Sequence, residues 1–394
     1  MKILLLGELS GVHQELTPGL RALGHEVVVG HSKLANASFE SDIRFFRAPP
    51  GGDGPAVWLR DIASQLFNAR QLTGFDIVQI ITPKFFNWKI HGPMMRFLKR
   101  NNRRLVVIAT SCSSDYHRRV KELEYRPCNE CMKFDLKSER CIYDTPEEQR
   151  AEHLTFELAD AIVTTHFDYQ QALDDTRFAA KTVGIALPID TARHRPAPMP
   201  PTDKLRIWYG ETRYGFKGSA FILPALDRLQ AGPLGSQIDI VRSGRLEFDD
   251  YLTFLDTLHI VIDQASTYGM GMNALYALAR GRVTLTGAEP EALAFIGVPV
   301  SDNPMINIRP DATQIETSLV QLFEQKNELA ALGRKSAAYV ARYHASSVIA
   351  QQYEALYQRL LDHDEQRTKP SCRTALDDNR SSAAAGGSDL MGAG

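Results

Sequence analysis

The sequence has no apolar run approaching the roughly 18 residues of a membrane-spanning helix, which excludes such a span. It has almost no net charge: 45 Lys and Arg against 47 Asp and Glu leave −2, so no general field attracts nucleic acid or acidic polymers. Cysteine is scarce, with five in 394 residues. The opening MKILLLGEL lacks a signal-cleavage pattern and reads as a buried first strand. A secreted disulfide framework is thereby excluded, and reduced thiols or a metal site are left. No Walker A loop occurs, and no Gly-x-Gly-x-x-Gly follows a strand in the second half, which argues against dinucleotide chemistry there. The compartment expected is the cytoplasm.

What is present is a soluble globular composition, 44% apolar and 23% charged, in a chain long enough for two or three domains. Short apolar runs alternate with helix-like stretches. KILLLG (2–7), HEVVVG (25–30), FDIVQII (75–81), RRLVVIAT (103–110), ADAIVTT (159–165) and TVGIALPID (182–190) read as strands covered on both faces. The Pro-rich segment RHRPAPMPPTDK (193–204) reads as an extended linker. Alternation restarts with KLRIWYG (204–210), QIDIVRS (237–243), LHIVIDQ (258–264) and RVTLTG (282–287). The expected architecture is α/β, two Rossmann-like doubly wound domains facing a cleft. The first spans 1–192 with a Cys-rich insertion at 112–150; the linker is 193–204; the second spans 205–345. A terminal helix is expected at 346–363 and a disordered tail at 364–394, which is too polar and small-residue-rich to bury a core.

Open α/β sheets bind ligands outside the carboxyl ends of their strands. After RIWYG come Arg213 and Lys217, placed near a helix start where they could grip one diphosphate. The plain alternative is a solvated turn. Asp115 and His117 follow RRLVVIAT, beside Ser111 and Ser114, and could orient a hydroxyl. Gly7, Ser10 and Gly11 form an acceptor-side loop that permits close backbone approach, and His13 stands at the same junction, as a catalytic candidate or an exposed first-turn residue.

The strand–GETRYGFKG–helix segment resembles the donor-phosphate loop of GT-B glycosyltransferases. HIVIDQASTYGMGMNALYALARGRVTLTGAEPE is similar to that fold's donor signature, with Asp263-Gln264, Gly269, Gly271, NALYALARG and Gly281 as the matching pieces. Within the fold it is most similar to retaining bacterial polysaccharide-type transferases, group 1 or family 4-like. The resemblance implies transfer of a sugar from a nucleotide-sugar donor to a glycan or lipid-linked glycan. It also implies retention of configuration, and no metal or other cofactor for catalysis, the donor phosphate assisting deprotonation. One departure stands out: the family's two signature glutamates align with Tyr268 and Tyr276, which cannot accept as carboxylates do. Glu289 and Glu291 could supply the missing acceptors, or simply open a helix. Asn273 could bind phosphate or ribose, or cap its helix. Two alternatives stay open: an epimerase or hydrolase on the same scaffold, and a degenerate nucleotide-sugar-binding protein, which the two tyrosines favour.

Cys112, Cys128, Cys131 and Cys141 fall within thirty residues, and Cys128-Asn-Glu-Cys131 has a zinc-knuckle gap. A structural zinc is one expectation, with His117 able to replace Cys112; free buried thiols or a redox pair are the other. Finally, basic residues beside Trp88, Met94, Met95, Phe97 and Leu98 suit a helix resting on anionic lipid at the inner membrane face. The ordinary reading is a crossover helix that solvates its charges.

Overall fold

The computed structural model describes residues 1–32, 39–46, 54–211, 213–243 and 246–368. The chain begins β1 (Lys2–Leu6), α1 (Val12–Ala22), β2 (Glu26–Ser32), β3 (Ile43–Phe45), α2 (Pro55–Asn68), β4 (Ile77–Ile81), α3 (His91–Asn101) and β5 (Arg104–Ala109). An irregular stretch follows, carrying α4 (Ser114–Arg119), α5 (Pro127–Glu130) and a wide helical turn over Cys131–Leu136. Then come α6 (Pro146–Leu158), β6 (Ala161–Thr164), α7 (Phe167–Asp174) and β7 (Thr182–Gly184). The second half is β8 (Leu205–Gly210), α8 (Tyr214–Lys217), α9 (Ser219–Ala231), β9 (Ile238–Ser243), α10 (Phe248–Leu255), β10 (Ile260–Ile262), α11 (Met272–Ala279), β11 (Val283–Thr286), α12 (Pro290–Phe295), β12 (Ile306–Asn307), α13 (Ala312–Glu324), α14 (Leu329–Tyr343) and α15 (Ser346–Thr368).

Two parallel sheets result, ordered β3-β2-β1-β4-β5-β6-β7 and β12-β11-β10-β8-β9. Their strands read as unbroken apolar runs because helices cover both faces: Ile3, Leu4, Leu5 and Leu6 are all fully buried. Leu4 pairs with Val28 on one side and Val78 on the other. In each sheet the order reverses beside its first strand, between β1 and β4 and between β8 and β10. These switch points open crevices at the carboxyl ends.

The last helix returns to the first half. Tyr357 donates its hydroxyl to Gln79 Oε1 at 2.7 Å, and Arg104 Nε donates to the Leu360 carbonyl at 2.7 Å. The two crossings meet where Ile189 bridges Ala345. Fully buried Arg282 donates to the carbonyls of Ala197, Pro198, Leu258 and Arg280, tying the Pro-rich connection to the second half. The terminal helix runs to Thr368, past the expected end at 363; the rest of the expected tail, 369–394, lies outside the described residues.

Helix α3 is a crossover helix. It buries His91, Met94, Met95 and Leu98, and Lys99 pairs with Asp160 at 2.6 Å. The outward apolar face belongs to α2 instead, where Leu59, Leu66 and Phe67 are exposed while Asp61, Gln65 and Asn68 are buried. No helix among the described residues is long and apolar enough to cross a membrane.

Candidate functional site

The carboxyl ends of both sheets face one cavity of about 570 Å³. From the first half it is lined by Ser10, Thr110, Ser111, Cys112, His166 and Asp168, and from the second by Arg213, Lys217, Asp263, Gln264, Gly271, Asn273 and Tyr276.

Arg213 and Lys217 reach it because β8 ends at Gly210 and the chain turns there into the short α8, with Arg213 at its cap and Lys217 in its last turn. Lys217 Nζ lies 2.6 Å from Asp263 Oδ1. Asp263, fully buried, also accepts from the Gly271 N–H at 3.0 Å and from Asn273 Nδ2 at 3.1 Å. Burial alone would raise this carboxyl, but Lys217 and these hydrogen bonds hold it below its ordinary value. The Asp263 carboxylate thereby takes the cap amide of α11, the Asn273 amide and one Lys217 donor, and the ammonium keeps its other two donors at the cavity. Asn273 does not cap α11; its Oδ1 accepts from the Tyr251 hydroxyl at 2.6 Å, and Gly271 occupies the cap position. Gly269 lies beneath, its carbonyl accepting from Gln264 Nε2 and the Thr267 hydroxyl.

The β1–α1 loop contributes Ser10. Gly7 and Gly11 sit just below with φ of 84° and 95°, a conformation that only glycine adopts freely. The amides of Gly11 and Gln14 are already taken by the Glu8 carboxylate at 3.0 and 2.9 Å, so this helix start is closed to anions. Burial raises Glu8 to about 7 against those bonds.

Other expected residues are placed elsewhere. His13 is buried inside the first half: Nδ1 lies 2.8 Å from the Gly7 carbonyl and Nε2 3.2 Å from Gln79 Nε2, and burial lowers it to about 4. It is a core histidine, not an exposed one, and it does not line the cavity. Asp115 does not line the cavity, because His153 from α6 holds it at 3.0 Å. His117 points to the cysteines instead. Glu289 is consumed by structure: Arg309 Nε and Nη2 each donate at 2.8 Å, joined by the Tyr125 hydroxyl at 2.7 Å and Asn307 Nδ2 at 2.9 Å. Glu291 is exposed in the first turn of α12. Neither glutamate reaches the cavity to replace the missing pair.

The two tyrosines have their own partners. Tyr268 stacks on Tyr125 at 4.8 Å, and its hydroxyl accepts from the Glu124 N–H at 3.3 Å, which seats the insertion. Tyr276 lines the cavity and crosses to Glu15.

Sequence reasoning missed His166 and Asp168, which follow β6. His166 Nε2 lies 2.7 Å from the Met270 carbonyl, so that nitrogen donates, while Nδ1 accepts from the Thr165 hydroxyl at 2.8 Å. Burial lowers its basicity and keeps this neutral form. Asp168 is 4% exposed, and its Oδ1 has no hydrogen-bond partner among the described residues. Burial raises it to about 6, opposed by the Tyr268 N–H. Asp168 lines the cavity, and a buried carboxylate oxygen left without a partner calls for an explanation. The only trace in the sequence is the run of polar residues after the strand ADAIVTT.

The four cysteines surround a second cavity of about 250 Å³ on the far side of Arg213. Among the described residues, no three His, Cys, Asp or Glu side chains stand close enough to hold one metal ion.

No protein-family model and no curated protein matches the chain. Solved structures do. A sucrose-phosphate synthase from Thermosynechococcus elongatus superposes with a TM-score of 0.61 at 15% identity, over 92% of this chain and 100% of that one. HepE from Anabaena, in complex with UDP and glucose, gives 0.59 at 14% identity over 91% and 99%. The catalytic domain of starch synthase IV from Arabidopsis thaliana, bound to ADP and acarbose, gives 0.56 at 13% over 92% and 99%. With its two parallel sheets flanked by helices, the chain has the GT-B fold of these glycosyltransferases.

Proposed function

From this fold and cavity we propose that the chain transfers a sugar from a nucleotide diphosphate to a hydroxyl of a glycan or lipid-linked glycan. The observation that carries the reading is the convergence of Arg213, Lys217, Asn273 and the Gly271 end of α11 on one interdomain cavity. Charge develops on the departing diphosphate, and fixed cations with a helix N-terminus stabilise it without rearranging. Lys217 has three donors, so it can keep Asp263 and still bond phosphate. Asp168 lines the same cavity, and its unpartnered oxygen, buried in the unliganded chain, accepts a sugar hydroxyl once the side chain turns towards it. No family-type glutamate is needed for that contact. The reaction proceeds with retention and without a metal, the donor phosphate taking the acceptor proton; this part rests on the resemblance of residues 205–291.

The acceptor is presented at an anionic membrane surface. Support comes from the outward face of α2, with Phe67 84% exposed beside Trp88 at 75%. Lys89 stands 3.9 Å over the Trp58 ring. The one acid between Pro55 and Leu72, Asp61, is buried, so the face is apolar and cationic. A calorimetric titration with UDP, followed by assay of sugar transfer against hydrolysis, tests the reading. Absence of nucleotide binding would remove it.

A further inference from the structure

Cys112, Cys128, Cys131 and Cys141 line one cavity of about 250 Å³, completed by apolar Met132, Leu136, Ile142 and Phe216. That space is several times the roughly 30 Å³ share of a water molecule. All four cysteines line its wall, and among the described residues no three ligating side chains are grouped to hold one ion. A lone zinc needs all its sulfurs about 2.3 Å from one centre. An iron–sulfur cubane takes one thiolate at each corner, so its four cysteines stand apart around a cavity. Arg213 Nη2 donates to Cys131 Sγ at 3.1 Å, placing a permanent cation against one of the sulfurs.

We propose that this cavity seats a polynuclear iron–sulfur centre of the [4Fe–4S] class, ligated by these four cysteines. Each thiol releases its proton to solvent as its sulfur bonds iron. The centre anchors a segment that has little core of its own, and it does so against the donor-side loop. Asp135, in the turn after Cys131, accepts from the Gly215 and Phe216 amides at 2.9 and 3.1 Å. A Cβ on Gly215 would lie 2.2 Å from the Glu130 carbonyl oxygen, so the two segments meet backbone to backbone. Arg213 lines both cavities and joins them. The metal centre therefore fixes where that guanidinium points. This last coupling rests on the function proposed above; the centre itself does not.

The test is metal analysis of the full chain, expressed and purified without air. Close to four iron and four acid-labile sulfide per chain are expected, with visible charge-transfer absorption. Both should be lost separately in C128S and C131S and kept in C372S, which alters the cysteine outside the four. About one zinc without sulfide, or metal-free protein whose four thiols all alkylate, overturns the proposal. Neither outcome requires a variant to fold. UDP titration of intact and iron-stripped wild-type protein tests the coupling, with an expected weakening of about tenfold, the worth of one charge-assisted hydrogen bond. Equal affinities would refute the coupling, whereas no UDP binding in cluster-loaded protein would count against the transferase reading alone.

Discussion

The Tyr276 hydroxyl donates to Glu15 Oε1 at 3.1 Å, from the second half of the molecule to the first. Glu15, 1% exposed, also accepts from His194 Nε2 at 2.9 Å and from the Asp190 N–H at 2.7 Å. Glu15 thus joins α1 of the first half to α11 and to the connecting segment of the second, and Tyr276 is one of its three partners. Tyr276→Phe should cost about 1–2 kcal/mol, the value of a hydrogen bond to a buried charged group. Tyr276→Glu sets two carboxylates together in a buried site and should cost more, on the order of 3–5 kcal/mol. Urea unfolding of the two variants checks the ordering. A Glu variant as stable as wild type would show that the Tyr276–Glu15 contact does not help to hold the two halves together.

Lys217 and Asp263 form the second such pair, and it makes the donor site separable from its scaffold. Arg213→Ala should raise the UDP dissociation constant about tenfold or more by removing one charge-assisted contact. Lys217→Ala should do the same and in addition lower stability by about 3–5 kcal/mol, because Asp263 is left buried and unpaired. Lys217→Ala/Asp263→Asn should recover stability but not affinity. Calorimetry and thermal melts together separate the two effects.

The sheets were legible in the sequence because two-sided burial writes parallel strands as uninterrupted apolar runs, such as Lys2–Leu6 and Ile77–Ile81. Arg213 and Lys217 were legible for a related reason: strand, turn and helix are contiguous there, so proximity along the chain became proximity in space. His13 was misread because the first turn of α1 faces the sheet, where Gly7 takes its ring. Glu289 does open a helix, as the second of its two readings had it, but its partner Arg309, like His153 beside Asp115, arrives from a distant position that the local sequence does not show. His166 and Asp168 acquire their setting only where β6 meets the Met270 turn across the cleft.

Asp168 gives the site a pH signature. Burial raises its folded pKa to about 6, so the carboxylate form is lost as pH falls through that value. Transfer that uses Asp168 as a hydrogen-bond acceptor should rise with pH across about 6 and level off above it. Asp168→Asn should lower kcat/KM by roughly 10²-fold and flatten that limb of the profile. A variant retaining the same limb would assign the ionisation to another group.

The outward face of α2 predicts vesicle binding. Phe67 and Trp88 are exposed, so replacing both with serine should leave thermal stability within about 0.5 kcal/mol. Sedimentation with anionic vesicles should fall severalfold in that variant, and binding by the wild type should weaken with salt because Lys89 and Arg60 contribute Coulombic attraction. Wild-type protein that stays in the supernatant with such vesicles would rule out this surface as the docking face.

His13 and His344 predict how the fold responds to acid. Both are buried, His13 inside the first half and His344 where the second half meets Leu187 of the first, and burial lowers each from 6.5 to about 4. Each imidazole thus binds its proton more weakly folded than unfolded, and the unfolded chain takes up protons first as pH drops. Stability is complete above about 6.5 and is lost as pH falls from there towards 4, at up to about 1.4 kcal/mol per pH unit for each histidine. Urea midpoints at pH 7, 6 and 5 should fall progressively. In His344→Gln, whose amide can still donate to the Leu187 carbonyl that now faces Nδ1, the slope should be shallower by one histidine's share. An unchanged slope in that variant would show that His344 binds its proton equally well in the folded and unfolded chain.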